Sequence, residues 1–436
     1  MDAFDKVIGY AAIKQRLKRT ADALSNPEAY KEMGVQPPRG MLLYGEPGVG
    51  KTLMARCLIE QSGREAITCR KDEPHGEFVR VIRKKFEEAI EKAPSVLLLD
   101  DLDKFANEDE GHRDAEEYVT VQSCLDELAQ SGGEVFVLAT ANDIRCLPDS
   151  LMRSGRLGNK IKIPGPTGAD AETILSHYLS GKKVVDSINP AFLARAMGGR
   201  SCAALEEVVN EAGLLAASER SGTITNGHLT KAILHSIFDV PETALEGGGS
   251  NVETVTMERT HAAYHEAGHA VVAEVLASGS VTLASLHGTE SGKTGGFVLS
   301  HLPDEISALR AMQIDIIVSL GSKASLEQKF GVMDRGIEED LFQAFSKVGS
   351  LVGETCCCGF NMCSSRRIID SEDLKSRIEQ ATAAEVERYY RKAKEILSVN
   401  AGFLDALATA LLERNFLSMY DIAEIKETCN IVQVSL

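Results

Sequence analysis

The sequence of 436 residues predicts an α/β module with a parallel sheet and a helical subdomain, followed by a mainly α-helical domain. Three unbroken apolar runs alternate with helical patterns in the first 165 residues: Met41–Gly45, Val96–Asp101 and Val135–Asn142. Parallel strands that helices cover on both faces have this composition. From Pro166 onwards the pattern is helical. Its clearest segments are Ala171–Leu179, Ala203–Arg220 and Asn226–Phe238.

A glycine-rich stretch, Glu246–Ser250, has the composition of a flexible linker and marks the predicted boundary between the two parts. Beyond it nearly every segment predicts helix, including a packed pair within Ala381–Asn415, and the chief exception is Thr294–Ser300. We therefore predict a large α/β subdomain at 1–165, a helical lid subdomain at 166–243, a linker at 244–256 and a second domain at 257–436.

Composition narrows the function classes. The formal net charge of -17 argues against a nucleic-acid partner, because neutralising phosphates requires a basic surface. No apolar run approaches the roughly 20 residues of a membrane helix, and residues 1–24 form a charged segment rather than a signal peptide. We therefore expect a cytoplasmic protein without membrane insertion, whose ten cysteines are reduced thiols.

Four of these cysteines are close together in the sequence: Cys356, Cys357, Cys358 and Cys363. Such a cluster could bind a metal or sense the redox state. It lacks the paired spacing of metal-binding cysteines, so the pattern favours no specific role.

The segment GEPGVGKT follows the first apolar run and opens a helical stretch, which is the context that a phosphate-binding P-loop requires. Its glycines let backbone N–H groups turn towards phosphate, while Lys51 reaches the outer phosphates and the Thr52 hydroxyl binds Mg²⁺. We therefore predict a site for ATP and Mg²⁺ that is formed by Gly45, Glu46, Pro47, Gly48, Val49, Gly50, Lys51 and Thr52.

Polar residues follow the next two apolar runs. Asp100 is placed to hold the Mg²⁺ shell, and Asp101 to orient or polarise the attacking water. Asn142 ends the third run, at the sheet edge where open α/β sheets bind ligands. Two guanidinium groups follow, Arg153 and Arg156, and they suit stabilisation of charge on the γ-phosphate. Taken in isolation, an ordinary solvated pair is the simpler interpretation of these arginines.

The segment HEAGH, residues 265–269, lies in an apolar helical run without proline. Because positions i and i+4 share a helix face, His265 and His269 can bind one Zn²⁺ while Glu266 acts as the base for its water. A catalytic zinc needs a third protein ligand, and this helix carries no further histidine at a suitable spacing. We expect the third ligand elsewhere in the chain, with a carboxylate favoured.

The candidates for that ligand are Glu338, Glu339 and Asp340. All three could serve only as partners of a helix dipole. Helical periodicity places Asp340 on one face with Ala344 and Val348, beside Phe345, and this favours an inward orientation for Asp340. Glu339 is the next candidate.

Together these motifs resemble the FtsH family of membrane-bound AAA+ zinc proteases. Residues 4–236 look like an AAA+ ATPase module, from GYAAIKQRLKRT through the P-loop to ATANDIRCLPDSLMRSGRLGNKI and the lid stretch GRSCAALEEVVNEAGLLAA. AAYHEAGHAVV is similar to the family's zinc helix, and GSKASLEQKFG to the segment that leads to its aspartate ligand. Val386–Leu417 resembles its C-terminal helices.

The resemblance implies an ATP-dependent zinc metalloendopeptidase that unfolds, translocates and degrades protein substrates in a hexameric ring. It implies that Asn142 is a sensor and that Arg153 and Arg156 are arginine fingers acting on a neighbouring subunit. In the same register Gly336 aligns with a family glycine and Asp340 with the aspartate that binds zinc. The glycine-flanked stretch Thr294–Ser300 then forms either an edge strand that pairs with extended substrate or a plain hairpin.

Three departures limit the resemblance. These 436 residues contain no segment that resembles the family's N-terminal transmembrane helices, and Asp101 stands where the family usually has Glu. The aromatic pore loop is not obvious within Arg70–Arg80, where Phe78 and Val79 are the candidates for gripping substrate. Two alternatives follow: an ATP-driven unfoldase with an inactive peptidase scaffold, and a switch protein that regulates a partner. Intact His265, Glu266 and His269 argue against the first.

Overall fold

The computed structural model of the protein describes residues 2–35, 38–71, 78–106, 115–131, 134–185, 187–245, 256–290, 293–303, 305–331, 335–363 and 372–436. The chain divides into two compact units, Met1–Asn226 and Gly227–Leu436. Of the predicted linker at 244–256, all but residues 244, 245 and 256 lie outside the described residues.

The first unit contains a five-stranded sheet. Its strands are β1 (Gly40–Tyr44), β2 (Glu65–Cys69), β3 (Ser95–Leu99), β4 (Val135–Ala141) and β5 (Asn159–Lys162). The strand order is β2-β3-β4-β1-β5, and all neighbouring strands are parallel. Strands β1, β3 and β4 coincide with the three apolar runs, so the predicted parallel sheet is confirmed.

Helices pack against this sheet and continue beyond it. They are α1 (Ala11–Ser25), α2 (Pro27–Glu32), α3 (Lys51–Ser62), α4 (Phe78–Glu91), α5 (Glu116–Ser131), α6 (Gly168–Ser180), α7 (Pro190–Ala196) and α8 (Cys202–Ser218). Strands β3 and β4 are buried along their whole length, which explains their unbroken apolar sequences. Because β4 lies between β3 and β1, the segments after these three strands meet at one edge of the sheet.

The second unit is mainly helical, as predicted. Its helices are α9 (Asn226–Phe238), α10 (Glu242–Leu245), α11 (Met257–Leu276), α12 (Ala308–Phe330), α13 (Glu338–Gly353), α14 (Glu372–Val399), α15 (Ala401–Arg414) and α16 (Met419–Thr428). Its strands are β6 (Val281–Ser285), β7 (Thr289–Glu290), β8 (Lys293–Thr294), β9 (Phe297–Ser300) and β10 (Phe416–Ser418). Strands β10, β6 and β9 form an antiparallel sheet with β9 at one edge, and β7 pairs with β8.

Helices α11 and α12 cross closely in the core of the second unit. A Cβ atom added to Gly268 would lie 2.5 Å from the carbonyl oxygen of Gly321, and one added to Gly321 would lie 2.7 Å from that of Gly268. Only glycine permits two backbones to approach so closely. The crossing therefore sets the position of α12 beside the HEAGH segment of α11.

No single helix among the described residues is long and apolar enough to cross a membrane. By length and composition alone, the pair α14 and α15 passes that test together, with a bend of 82° between its members.

Candidate nucleotide and metal sites

The P-loop connects β1 to α3. Three of its glycines have positive φ angles: 155° at Gly45, 79° at Gly48 and 91° at Gly50, the residue before α3. A Cβ atom at Gly45 would lie 2.0 Å from the carbonyl oxygen of Ile163, so this position also requires glycine for space. The loop thus leads directly to a helix N-terminus, whose free N–H groups favour an anion.

Lys51 is a buried ammonium group, 5% exposed, held by neutral oxygens. Its Nζ donates hydrogen bonds to the carbonyl oxygens of Gly45 and Glu46, each at 2.8 Å, and to Oδ1 of Asn142 at 2.9 Å. Burial lowers the pKa of Lys51, because desolvation disfavours the charged form. Among the described residues it forms no ion pair, so the site supplies a cation that an anionic phosphate would satisfy.

Asp100 lies at the end of β3 between two hydroxyl groups. Thr52 Oγ1 donates to Asp100 Oδ1 at 3.1 Å, and Thr140 Oγ1 donates to the same oxygen at 2.8 Å. Thr140 also accepts a hydrogen bond from the backbone N–H of Asp101 at 2.8 Å. The carboxylate and hydroxyl predicted to hold Mg²⁺ are therefore adjacent, and oxygen ligands of this kind suit Mg²⁺.

Asp101 itself is paired with cations. Its Oδ2 lies 2.9 Å from Nζ of Lys104 and 3.7 Å from a guanidinium nitrogen of Arg70. Its backbone is left-handed, with φ of 55°. The side chain is thus held at the sheet edge beside Asp100.

The two predicted arginine fingers have different surroundings. Arg156 is largely buried and forms a bidentate ion pair with Asp126, with both contacts at 2.7 Å, and also donates to the carbonyl oxygen of Ser150. Arg153 is exposed, and within the described parts of the chain its side chain makes no hydrogen bond or ion pair. Among the described residues, neither arginine side chain forms a hydrogen bond or ion pair with Lys51 or Asp100.

A cavity of about 230 Å³ lies beside the P-loop. Its walls include Tyr10, Val49, His177 and Cys202, so it is bounded by the segment before α1, the P-loop, α6 and α8. The sequence analysis predicted Val49 as part of the P-loop but missed Tyr10, His177 and Cys202, because no local motif links a position near residue 10 to one near residue 202. The cavity has space for a flat heterocyclic group next to the phosphate loop.

The prediction that Phe78 grips substrate is wrong. Phe78 is fully buried at the first residue of α4, and its ring meets that of Phe105 edge to face at 4.9 Å between centroids. A buried ring cannot contact a passing chain. Val79 is half-buried, and residues 72–77 of the predicted loop lie outside the described residues.

In the second unit, His265, His269 and Asp340 converge on one point. Both histidine Nε2 atoms lie 3.2 Å from Oδ2 of Asp340 and 3.3 Å from each other. Among the described residues, this is the one group of three or more His, Cys, Asp or Glu side chains whose ligand atoms all lie within 4.8 Å of one another. Two imidazole nitrogens and a carboxylate oxygen are a donor set that suits zinc.

The surrounding groups orient these ligands. Nδ1 of His269 lies 2.7 Å from the carbonyl oxygen of Val318 in α12, which places the ring proton on Nδ1 and leaves Nε2 for a metal. The hydroxyl of Ser322, also in α12, donates to Oδ2 of Asp340 at 2.6 Å. The first contact joins α11 to α12, and the second joins α12 to α13. Sequence reasoning missed Val318 and Ser322, although a buried serine on an apolar helix face was a possible signal.

The charged forms of His269 and Asp340 stabilise each other. Burial alone would lower the pKa of His269, but its hydrogen bond to Asp340 and that residue's charge raise it to about 9. Burial alone would raise the pKa of Asp340, but hydrogen bonds from both histidines hold it well below its ordinary value. The carboxylate is therefore ionised at neutral pH and attracts either a proton or a cation to the imidazoles.

Glu266 lies beside the ligands and is 5% exposed. Burial raises the pKa of its carboxyl group, while the charges of His265 and His269 oppose that rise. A Cβ atom on Gly296 would lie 2.5 Å from Oε1 of Glu266, so the backbone just before β9 lies directly against this carboxylate. Sequence reasoning did not connect Gly296 with Glu266.

The three candidate carboxylates are separated by the fold. Asp340 is half-buried and reaches the histidines, whereas Glu338 and Glu339 are exposed at the start of α13. Ala344 and Val348 are fully buried, as the predicted inward face requires. Phe345, expected beside that face, is instead exposed.

Two family models match the chain, one for each unit. The ATPase family associated with various cellular activities (AAA) matches residues 41–165. Peptidase family M41 matches residues 253–425.

Three relatives match nearly the whole chain. The ATP-dependent zinc metalloprotease FtsH 2 of Sphaerobacter thermophilus is 31% identical over 428 residues, covering 94% of this chain and 64% of the relative. The ATP-dependent zinc metalloprotease FtsH of Pelobacter propionicus is 30% identical over 466 residues, covering 99% and 72%. That of Thermus thermophilus is 30% identical over 455 residues, covering 97% and 70%. The chain thus spans 64% to 72% of the length of these relatives.

Proposed function

The chain belongs to the FtsH family of ATP-dependent zinc metalloproteases, and we propose that it uses ATP hydrolysis in its first unit to drive cleavage of protein substrates in its second. The observation that carries this proposal is the convergence of His265, His269 and Asp340 beside a buried Glu266. The same chain holds a P-loop lysine without a carboxylate partner among the described residues.

For the peptidase reaction, His265, His269 and Asp340 would hold the zinc ion. Bound there, zinc supplies Lewis-acid activation of water and of the scissile carbonyl group. Glu266 accepts the proton of the attacking water at its carboxylate and returns it to the leaving nitrogen. Val318 and Ser322 keep the ligands in orientation through the contacts at His269 and Asp340.

Strand β9 offers a place for an extended substrate. It is an edge strand of the three-stranded sheet, and it begins one residue after Gly296. A peptide that pairs with this edge would lie next to Glu266 and the zinc ligands. Substrate selection would then depend on main-chain hydrogen bonds more than on particular side chains.

For ATP hydrolysis, the P-loop residues 45–52 would hold the phosphates, with Thr52 and Asp100 on Mg²⁺. Asp101 would orient the attacking water, and Asn142, which contacts Lys51, would sense the γ-phosphate. Arg153 and Arg156 would act on the site of a neighbouring subunit in a hexameric ring. The exposure of Arg153 supports such a role in trans.

The domain limits drawn from the sequence, 1–165, 166–243, 244–256 and 257–436, remain part of this proposal. A cytoplasmic location is also proposed, and it is supported by ten cysteines that are all free thiols.

The test is degradation of an unfolded substrate such as casein with Zn²⁺ and ATP. We expect wild-type protein to degrade casein, and Glu266→Gln to lose at least about 100-fold in rate while ATP hydrolysis continues. Glu258→Gln, an exposed position on the same helix, is the matched control. ATP hydrolysis by wild-type protein without any cleavage would instead support the unfoldase.

A further inference from the structure

The backbone that leads into β9 is fixed against the predicted catalytic base. A Cβ atom on Gly296 would lie 2.5 Å from Oε1 and 2.8 Å from the carboxyl carbon of Glu266. The backbone at Gly296 and the Glu266 carboxylate are therefore close together, and a movement of β9 away from Glu266 would open this contact. The position of β9 therefore determines how closely a paired substrate approaches the reacting groups.

The two faces of β9 are covered differently. Neighbouring side chains of a strand point to opposite faces, so Val298 and Phe297 lie on different sides. Val298 packs against the hydrophobic core of the second unit. Phe297 does not belong to that core cluster and needs another partner.

Two groups hold the Phe297 ring. On one side is Gly288, where an added Cβ atom would lie 2.9 Å from Cδ1 of the ring. Gly288 also accepts a hydrogen bond from the N–H of Gly295 at 3.1 Å, which closes the base of the β7–β8 hairpin. The other contact is with Phe238, the last residue of α9, whose ring stacks on Phe297 with 4.5 Å between centroids and 25° between planes.

We propose that Phe238 is a positioning residue for the peptidase reaction. By stacking on Phe297 it holds the start of β9 against Glu266, although it lies outside the segment that the peptidase family model matches. Helix α9, which the sequence groups with the lid subdomain, thus takes part in shaping the peptidase site. This inference rests on the proposed function, because it assigns a role within that reaction.

The first test measures cleavage of a short unstructured peptide by zinc-loaded full-length protein. Phe238→Ala and Phe238→Leu are expected to lower kcat about tenfold, because small displacements of a positioned substrate cost up to about 100-fold in rate. Phe238→Tyr keeps the stacked ring and should retain the wild-type kcat. Bound zinc and the ATPase rate should not change in any of these variants. A lower melting temperature with an unchanged kcat would reduce Phe238 to a structural residue.

The second test asks whether the two rings act through each other. If they do, the double variant Phe238→Ala/Phe297→Ala should have the same kcat as Phe297→Ala alone. Effects that multiply in the double variant would overturn the proposal. Phe360→Ala removes a ring that is 92% exposed and serves as the matched control with no expected effect.

A third measurement separates this inference from the proposed function. Amide hydrogen exchange of the peptide that contains β9 requires no activity. Exchange there should be faster in Phe238→Ala than in wild-type protein, and normal in Phe238→Tyr. A wild-type protein that cleaves nothing would refute the proposed function, and the exchange data would still decide the inference. Unchanged exchange in Phe238→Ala would refute the inference even if wild-type protein degrades casein.

Discussion

The nucleotide site and the zinc site are assembled in different ways. Lys51, Asp100 and Asn142 each follow a strand of one parallel sheet, and neighbouring strands bring them together at a common edge. The proposed zinc ligands come from α11 and α13, and α12 contacts His269 through Val318 and Asp340 through Ser322. The first site follows from strand order, whereas the second depends on how three helices pack.

The two sites also differ in what one chain supplies. The three candidate zinc ligands already converge within the second unit. At the nucleotide site, Arg156 is bound to Asp126 and Arg153 is exposed. This difference leads us to expect that peptidase chemistry needs one chain at a time, while ATP hydrolysis needs neighbouring chains.

The largest effect is expected from replacing Asp340, the proposed zinc ligand that is farthest in the sequence from His265 and His269. Asp340→Asn should lose bound zinc and reduce peptidase activity to background, because the variant lacks one of the three side chains proposed to bind the metal. Glu339→Gln should change the free energy of unfolding by less than about 1 kcal/mol and keep its zinc, because that side chain is exposed. Zinc content measured by elemental analysis checks both variants. Full zinc in the first with loss in the second would reverse the assignment.

Variants of Arg153 and Arg156 test whether ATP hydrolysis needs a neighbouring chain. Arg153→Ala should lower ATP hydrolysis about 1,000-fold without lowering the melting temperature, because the side chain is exposed. Arg156→Ala should lower both, since it also loses the ion pair with Asp126. Mixing either variant with Lys51→Ala should restore part of the ATPase activity. Mixtures no more active than their separate components would argue against action in trans.

The charges of His269 and Asp340 predict that zinc binding depends on pH. In metal-free protein the pKa of His269 is raised from 6.5 to about 9, so the stability gained from its protonation is fully present below pH 6.5 and lost as pH rises through 9. Zinc requires the neutral imidazole, so its binding releases this proton. Apparent zinc affinity should therefore rise roughly tenfold per pH unit from pH 7 to 9, as measured by chelator competition. An affinity that stays flat over this range would contradict the coupling.

The smallest effects are expected from the hydroxyl groups that support a carboxylate in each site. Ser322→Ala should weaken zinc binding about tenfold by freeing Asp340, with normal ATP hydrolysis. Thr140→Val should lower ATP hydrolysis by a similar factor and leave zinc binding unchanged, because it frees Asp100 and leaves the Asp101 N–H without its partner. Zinc affinity and ATPase rate measured on both variants compare the sites directly. Any variant that impairs both activities would show that the sites are not independent.

The sequence by itself determined the parts of each site that are contiguous in the chain. The P-loop needs glycines, a lysine and a hydroxyl at fixed spacing between a strand and a helix, and that order is visible in GEPGVGKT. The HEAGH segment needs only helical periodicity to place His265 and His269 on one face. The apolar runs likewise predicted β1, β3 and β4, because strands buried on both faces contain few polar residues.

Only the tertiary structure decided which distant groups complete these sites. Glu338, Glu339 and Asp340 differ little in local chemistry, and the packing of α13 on α12 brings only Asp340 to the histidines. The stacking of Phe238 on Phe297 also had no local signal. Periodicity and spacing are properties of neighbouring residues, whereas contacts between distant segments depend on shape complementarity. Here that complementarity includes the crossing of α11 and α12 at Gly268 and Gly321, which brings Val318 of α12 beside His269.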